Sequence, residues 1–175
     1  MNFEELYHAH KDLVYNLALQ YVQNTEDAEE ITQDVFLSVH QSIEGFQQNA
    51  KLSTWMYRIT INKSLDYIKA KKRKKRLGIF SSLFFEDTGA IKHDIKSFDH
   101  PGVLLENKES LVALFVLIND LPENQRTALI LNKIEHKSLA EIAEIMELSS
   151  KAAESLIQRA KVALLKKLKQ NEGNR

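Results

Sequence analysis

Six polar and charged residues late in the chain lie on one face of a predicted helix. They are Ser150, Lys151, Glu154, Ser155, Gln158 and Arg159. Lysine, arginine and glutamine can donate hydrogen bonds to base edges in the major groove of duplex DNA, and glutamate can accept one from cytosine. The alternative is an ordinary helical hairpin whose charges are simply solvated, so the residues around this face matter for the interpretation.

The surrounding residues match a helix-turn-helix between Leu139 and Gln158. Such a unit needs apolar side chains where its two helices cross and a small one where they touch most closely. Ala143 is the small residue, and Ser149 or Ser150 can cap the second helix. The apolar positions are Ile142, Met146, Leu148, Ala153 and Leu156. Glu147 stands where a turn glycine is usual, and a positive φ there costs about 1 kcal/mol. The pattern as a whole still predicts that this helix reads DNA.

Nothing in the sequence has the spacing of a catalytic or metal site. Cysteine is absent, and no phosphate-binding glycine loop or nucleophile motif occurs. The histidines, which lack metal-ligand spacing, are His8, His10, His40, His93, His100 and His136. We therefore predict that the chain is not an enzyme and takes no cofactor, metal or small-molecule substrate.

The net charge of zero conceals a strong segregation of charge along the chain. Residues 1–70 carry a net charge of −5, residues 71–76 carry +6, residues 77–120 carry −4 and residues 121–175 carry +3. An acidic first part and a basic tail indicate two different kinds of partner. The absence of cysteine, of a signal-peptide pattern and of an apolar stretch near ~18 residues predicts a cytoplasmic protein.

Helical periodicity dominates the elements that must position these residues. Asn2 with Glu5 predicts a capped first helix. The second helix has one apolar face, formed by Ala28, Ile31, Val35, Val39 and Ile43. After a loop, Ser53 or Thr54 begins a third helix that runs into the basic cluster 71–76.

The pattern changes at 77–103, where three of the five glycines lie and no period is sustained. We interpret this segment as a linker with a short apolar element at 79–85. Helical periodicity resumes near Leu104, and Pro122 suits the first turn of a further helix. The predicted fold class is all-α, with two small helical domains joined by a flexible linker. The C-terminal domain would be a winged-helix-like, three- to four-helix domain that carries the helix-turn-helix.

The face of the second helix opposite its apolar stripe carries Glu30, Gln33, Asp34 and Leu37. Two acids, an amide and an exposed leucine suit a protein partner that offers arginines and an apolar rim. A solvated acidic face is the alternative interpretation of the same four residues.

Taken together, these segments resemble the sigma factors of bacterial RNA polymerase, in particular the short extracytoplasmic-function group. The likeness covers nearly all of residues 1–70 and 104–170. The matching stretches are 26–37, 54–62, 121–126, 141–143 and 158–160. Each stretch is weak alone, and their common order and spacing carry the resemblance.

The resemblance implies a sigma factor that binds core RNA polymerase, directs it to specific promoters and helps to melt the −10 element. Residues 1–76 would be region 2, which binds the core enzyme and the −10 element. Residues 77–103 would be the linker, and residues 104–175 would be region 4, which reads the −35 element. The implied partners are the polymerase clamp, reached through the acidic face of the second helix, the polymerase flap, promoter DNA and an anti-sigma factor, often membrane-bound. In the holoenzyme the protein would be associated with the nucleoid.

The resemblance also directs the third helix toward the non-template strand. Arg58, Asn62, Asp66 and Lys69 fall along one stripe at steps of four, four and three. Arginine and lysine can hold phosphates, and Asn62 can pair with a base edge. Asp66 could equally pair with a neighbouring basic residue and hold the helix.

The loop before the third helix, Phe46 to Leu52, would form the pocket for a base pulled from the stack. Lys51 is available there for a backbone contact, and Lys71, Lys72 and Arg73 of the basic cluster would meet phosphates further along. Trp55 is more typical of the core than of a stacking platform.

A helix-turn-helix regulator that acts without forming a holoenzyme is the alternative function. It would account for Leu139–Gln158 but not for the acidic second helix, the stretch 54–62 or the basic cluster. The tail Lys161–Lys169 could contact upstream DNA or the polymerase flap, and the sequence does not decide between them.

Overall fold

The computed structural model describes residues 2–45, 51–84 and 108–173, and helices joined by short turns form all the regular secondary structure within these ranges. They are α1 (Phe3–Val22), α2 (Thr25–Ser42), a 3-10 turn (Ile43–Gly45), α3 (Leu52–Phe84), α4 (Lys108–Asn119), α5 (Glu123–Lys133), α6 (Leu139–Met146) and α7 (Ser150–Gly173). The predicted all-α class is confirmed. The described part of the C-terminal domain has four helices and no β wing.

Short polar side chains fix where the helices begin. Asn2 accepts a hydrogen bond from the Glu4 amide at 3.3 Å, and its own amide donates to Glu5 Oε2 at 3.4 Å, as the capping pattern predicts. Asn24 begins α2 in the same way, because its side chain accepts from the Asp27 amide at 2.9 Å.

Helices α1, α2 and α3 enclose one apolar core. Its buried members are Leu6, Val14, Ala18, Leu19, Ala28, Ile31, Val35, Phe36, Val39 and Met56. The predicted apolar face of α2 supplies four of these residues, and Ile43 packs against the cluster from its edge. Trp55 is half-buried against the same core, which agrees with its predicted structural role.

A second core joins the C-terminal helices to the N-terminal ones. Leu17 and Tyr21 of α1 and Tyr57 and Ile61 of α3 belong to one buried cluster with residues of α4, α5, α6 and α7. The two groups of helices are therefore packed against each other. The sequence pattern had treated them as separate units.

Helix α3 is longer than the sequence predicts. Residues 77–84, interpreted as the start of the linker, continue the helix to Phe84. Lysine and arginine favour helix, and a single glycine such as Gly78 costs only about 1 kcal/mol, which a long helix tolerates. The rest of the predicted linker, and residues 104–107 at the predicted start of the next helix, lie outside the described residues. Within the described ranges no helix is long and apolar enough to cross a membrane.

Candidate nucleic-acid and protein interfaces

Helices α6 and α7 form the predicted helix-turn-helix, and a serine caps the N-terminus of each helix. Ser138 Oγ accepts from the Glu141 amide at 3.3 Å. Glu141 Oε2 accepts from the Ser138 amide at 2.8 Å and from its hydroxyl at 2.7 Å. These hydrogen bonds lower the pKa of Glu141 below its usual value. Of the two predicted caps for α7, Ser149 is the one whose hydroxyl accepts a backbone bond, from Ala152 at 3.2 Å.

The turn between these helices places a glutamate in the left-handed region. Glu147 has φ 56° and ψ 44°, and the next amide, of Leu148, donates to Ala143 O at 2.9 Å. Ile142 and Ala153 are fully buried at the helix crossing, as predicted, but Leu148 is 36% exposed. The turn uses the backbone of Leu148 and leaves its side chain at the surface, so its predicted place in the core is wrong.

The outer face of α7 presents every residue that the sequence assigned to base reading. The exposed residues are Ser150, Lys151, Glu154, Ser155, Gln158 and Arg159. The opposite face is buried through Ala153, Leu156, Ile157 and Ala160. Lys151, Glu154 and Gln158 form no side-chain hydrogen bond or ion pair with a described residue. Arg159 Nε donates to Ser155 O of the same helix at 3.3 Å. The face can therefore meet a partner without first breaking a contact with another helix.

The acidic face of α2 is exposed along its length. Glu30, Gln33 and Asp34 lie at the surface, and Leu37 is 60% exposed. Glu30 accepts a bond from the Tyr67 hydroxyl at 3.2 Å. One exposed leucine is ordinary at a protein surface, so this arrangement is compatible with a protein partner and with a solvated acidic face alike.

Asp27, at the N-terminal end of α2, ties this helix to α3. Its carboxylate accepts from the Tyr67 hydroxyl at 2.7 Å and pairs with Lys71. Burial, followed by these neighbouring carboxylates, raises the pKa of Tyr67 above its usual value. Lys71, predicted to contact DNA, is thus engaged within the protein in this arrangement.

The rest of the predicted −10 surface is divided between open and occupied residues. Asn62 and Asp66 are exposed and form no hydrogen bond or ion pair with a described residue, so the predicted pairing of Asp66 is not seen there. Lys69 forms an ion pair with Glu123 of α5 at 3.1 Å. The remaining predicted contacts Lys51, Lys72 and Arg73 are exposed, and the loop 46–50 lies outside the described residues.

Arg58 is the predicted DNA contact that the fold occupies most completely. Its Nε donates to Ile145 O at 3.2 Å and its Nη2 donates to Glu144 O at 2.6 Å. Its Nη1 lies 2.9 Å from Glu147 Oε1. The structure therefore places this arginine against the turn of the helix-turn-helix.

Three hydrogen bonds between side chains, which the sequence did not predict, join the two groups of helices. Glu135, after α5, accepts from the Tyr57 hydroxyl at 2.6 Å and from the side chain of Gln20. Tyr21 donates to Thr127 Oγ1 at 2.8 Å. Burial raises the pKa of Tyr57, with a further contribution from Glu135, and burial also raises that of Tyr21. A polar residue in a buried helical register, such as Gln20, was the one signal that could have indicated such a contact.

Arg126 has a structural role. It is 3% exposed, and its guanidinium lies 5.5 Å from the centre of the Tyr21 ring. Within the described ranges no group of three or more histidine or acidic side chains could hold a metal ion.

Two family models match the chain. One is Sigma-70 region 2, over residues 6–74, and the other is Sigma-70, region 4, over residues 111–164. The chain is 29% identical to the ECF RNA polymerase sigma factor SigW of Bacillus subtilis over 174 residues, which is 95% of this chain and 89% of that protein. It is also 29% identical to the ECF RNA polymerase sigma-E factor of Escherichia coli strain K12 over 154 residues, 86% of this chain and 78% of that protein.

Solved structures share the fold at lower identity. The sigma factor RpoE of Bartonella quintana, in complex with the anti-sigma factor NepR, is matched with a TM-score of 0.63 and 21% identity, over 95% of this chain and 96% of that one. CnrH, in complex with the cytosolic domain of CnrY, is matched with a TM-score of 0.65 and 21% identity, over 96% and 88%. At this identity the likeness concerns the fold alone.

Proposed function

Because this chain belongs to the sigma-70 family of RNA polymerase initiation factors, in its extracytoplasmic-function group, we propose a division of labour among its exposed surfaces. As a member of that group, it directs core polymerase to promoters. A helix-turn-helix regulator outside the holoenzyme is not favoured, since the region 2 match spans residues 6–74.

The C-terminal unit, residues 104–175, reads the −35 element through the outer face of α7. The observation that carries this proposal is that all six polar residues of that face are exposed while the opposite face is buried. Gln158 and Arg159 offer donors of the kind that read base edges in the major groove. Lys151 offers a charge for the phosphate backbone.

The N-terminal unit, residues 1–76, binds the polymerase clamp and opens the −10 element. Glu30, Gln33, Asp34 and Leu37 form the clamp surface, where the carboxylates meet basic residues and the leucine enters an apolar rim. Asn62 contacts a base of the opened strand. Lys51, Arg58, Asp66, Lys69, Lys71, Lys72 and Arg73 complete the −10 surface.

An anti-sigma factor is the proposed inhibitory partner, since the Bartonella quintana relative in the fold comparison was solved with one. Sigma factors are as a rule non-enzymatic regulators of initiation, and we propose that this chain follows that rule. A place in the cytoplasm, at the nucleoid when in the holoenzyme, belongs to the same proposal.

Two matched pairs of variants test the division of labour. Gln158→Ala should weaken binding of the holoenzyme to duplex DNA that carries the −35 element of a promoter mapped by transcript starts. Loss of one bidentate base contact is worth about 1–3 kcal/mol, and Gln170→Ala, at an exposed glutamine further along α7, should have no effect.

Asp34→Lys should reduce co-purification with core polymerase, whereas Asp12→Lys, the same charge change at an exposed position of α1, should not. If the two variants of a pair have equal effects, the role proposed for the surface that the pair tests is wrong.

A further inference from the structure

The two predicted DNA-binding faces are not equally free. The outer face of α7 is open. On α3, however, Arg58 and Lys69 are both held by groups of the C-terminal helices. The two faces differ in the groups that contact their cations.

The groups around Arg58 are those that a phosphate would otherwise replace. A guanidinium binds anionic oxygens through a fork of N–H donors. Here three of its nitrogens face the Glu147 carboxylate and the carbonyls of Glu144 and Ile145. The Arg58 side chain is 28% exposed, and its three engaged nitrogens are unavailable to a phosphate while these contacts persist.

Lys69 forms the second point of contact. It lies about 16 Å along α3 from Arg58, at 1.5 Å per residue, and pairs with Glu123 at the start of α5. Two cations of one predicted DNA stripe thus meet carboxylates from two separate places in the C-terminal unit, the turn after α6 and the start of α5.

We propose that the free chain partly masks its own strand-opening face, with Glu147 and Glu123 taking the places of promoter phosphates on Arg58 and Lys69 while Asn62 and Asp66 stay exposed. The C-terminal unit then has to leave α3 before the −10 strand can bind. This inference rests on the proposed −10 role of α3, while the closure itself can be measured without DNA.

Buried contacts supply most of the free energy of closure. Exposed ion pairs contribute little, and Glu147 is 72% exposed. The bonds from Tyr57 to Glu135 and from Tyr21 to Thr127 lie within a shared apolar cluster. The two glutamates make the closed arrangement specific, because they pair with the same cations that are proposed to bind DNA.

This role also accounts for the glutamate in the turn. A left-handed φ of 56° favours glycine and strains any other residue. Glycine, however, could not reach Arg58. Glu147→Gly should therefore keep the turn while removing the contact, which makes it a variant that folds.

The experiment measures closure and strand binding in the full-length free chain. The chain has no cysteine, so Asp12→Cys and Gln170→Cys, both at exposed positions, allow site-specific labelling for interdomain energy transfer. We expect Glu147→Gln and Glu147→Gly to raise the open population about two- to fivefold, the range for an exposed ion pair. Glu144→Gln, one turn away and still offering its carbonyl, is the matched control and should resemble the unchanged chain.

Binding of a single-stranded oligonucleotide that carries the non-template −10 segment of a mapped promoter is the second readout. Its affinity for the free chain should rise in Glu147→Gln and rise further in Glu147→Gln with Glu123→Gln, since sites this far apart act additively. Arg58→Glu should open the chain, and Arg58→Glu with Glu147→Arg should close it again.

The outcomes separate the two proposals. If Glu147→Gln leaves energy transfer identical to that of Glu144→Gln, or the unchanged chain is already open, self-masking is wrong. If the variants open but none binds the oligonucleotide, the closure stands, and both the masking of a DNA-binding face and the proposed −10 role of α3 fail.

Discussion

Glu141 shows how one side chain fixes the end of a helix. It closes the capping box with Ser138 at the start of α6, and the two bonds that it accepts there lower its pKa. Since the folded pKa lies below the unfolded value, the stabilisation is present above that unfolded value and is lost as the pH falls through the folded one.

The corresponding variant is Glu141→Gln. We expect its thermal unfolding midpoint to fall below that of the unchanged chain near neutral pH, and the difference to shrink between about pH 5 and pH 3. Scanning calorimetry across this range measures it. Glu144→Gln, on the same helix without a capping role, is the control. A difference that stays constant with pH would show that the carboxylate does not act through the cap.

At the scale of helices, the contact of α1 and α3 with the C-terminal unit depends on protonated tyrosines. Burial raises the pKa of Tyr57 and Tyr21, so the folded state disfavours their ionised forms. Their contribution to closure is complete below the ordinary tyrosine value and is lost as the pH rises through the folded one.

An alkaline titration tests this contact. Absorbance at the phenolate band should show two or more tyrosines ionising late, together with loss of interdomain energy transfer. Tyr57→Phe removes the bond to Glu135 and should weaken closure already at neutral pH by about 1 kcal/mol, the usual net value of one hydrogen bond. Tyr7→Phe, at the surface of α1, should leave closure unchanged. Closure that is indifferent to Tyr57→Phe would contradict the role given to this bond.

Some features of the helices could be predicted from the sequence. Helix starts at Asn2 and Ser149 and the buried face of α2 follow from capping chemistry and periodicity, which are local. The extension of α3 past Gly78 was missed because a glycine was weighed as a break, although the basic residues before it favour helix. The buried register of Gln20 could have indicated a polar contact, but the partners of Gln20 and Arg58 could not be predicted, since they depend on how two units pack across a connecting segment that carries no period.

The candidate surfaces show the same difference between local features, which could be predicted, and contacts distant in the chain, which could not. Exposure of the α7 face and of the acidic face of α2 was predicted, because each lies opposite an apolar stripe in its own helix. Occupation of Arg58, Lys69 and Lys71 was not, because their partners come from helices distant in the chain. Local pattern therefore identified the candidate residues but not which of them are open.

For the whole molecule, the proposed duplex-reading face of α7 is open, whereas Arg58 and Lys69 of the proposed strand-opening face are held by internal contacts. Asn62 and Asp66 of that second face stay exposed. The two faces belong to one packed unit, in which α3 contributes to the N-terminal core and to the core shared with α5 and α6. A factor built in this way has to exchange internal contacts for contacts with polymerase and DNA when it acts. Its activity is consequently a property of the holoenzyme on a promoter.

Strand opening in the reconstituted holoenzyme is the decisive test of the proposed function. With the full chain, core polymerase and a promoter mapped by transcript starts, −10 thymines should become reactive to permanganate and transcript should appear only when the chain is present. Asn62→Ala should lower that reactivity while duplex binding stays intact, and Asn124→Ala, an exposed asparagine of α5, should change neither. No opening with the unchanged chain would contradict the function, and loss of core polymerase binding in Asn62→Ala would contradict the role given to α3.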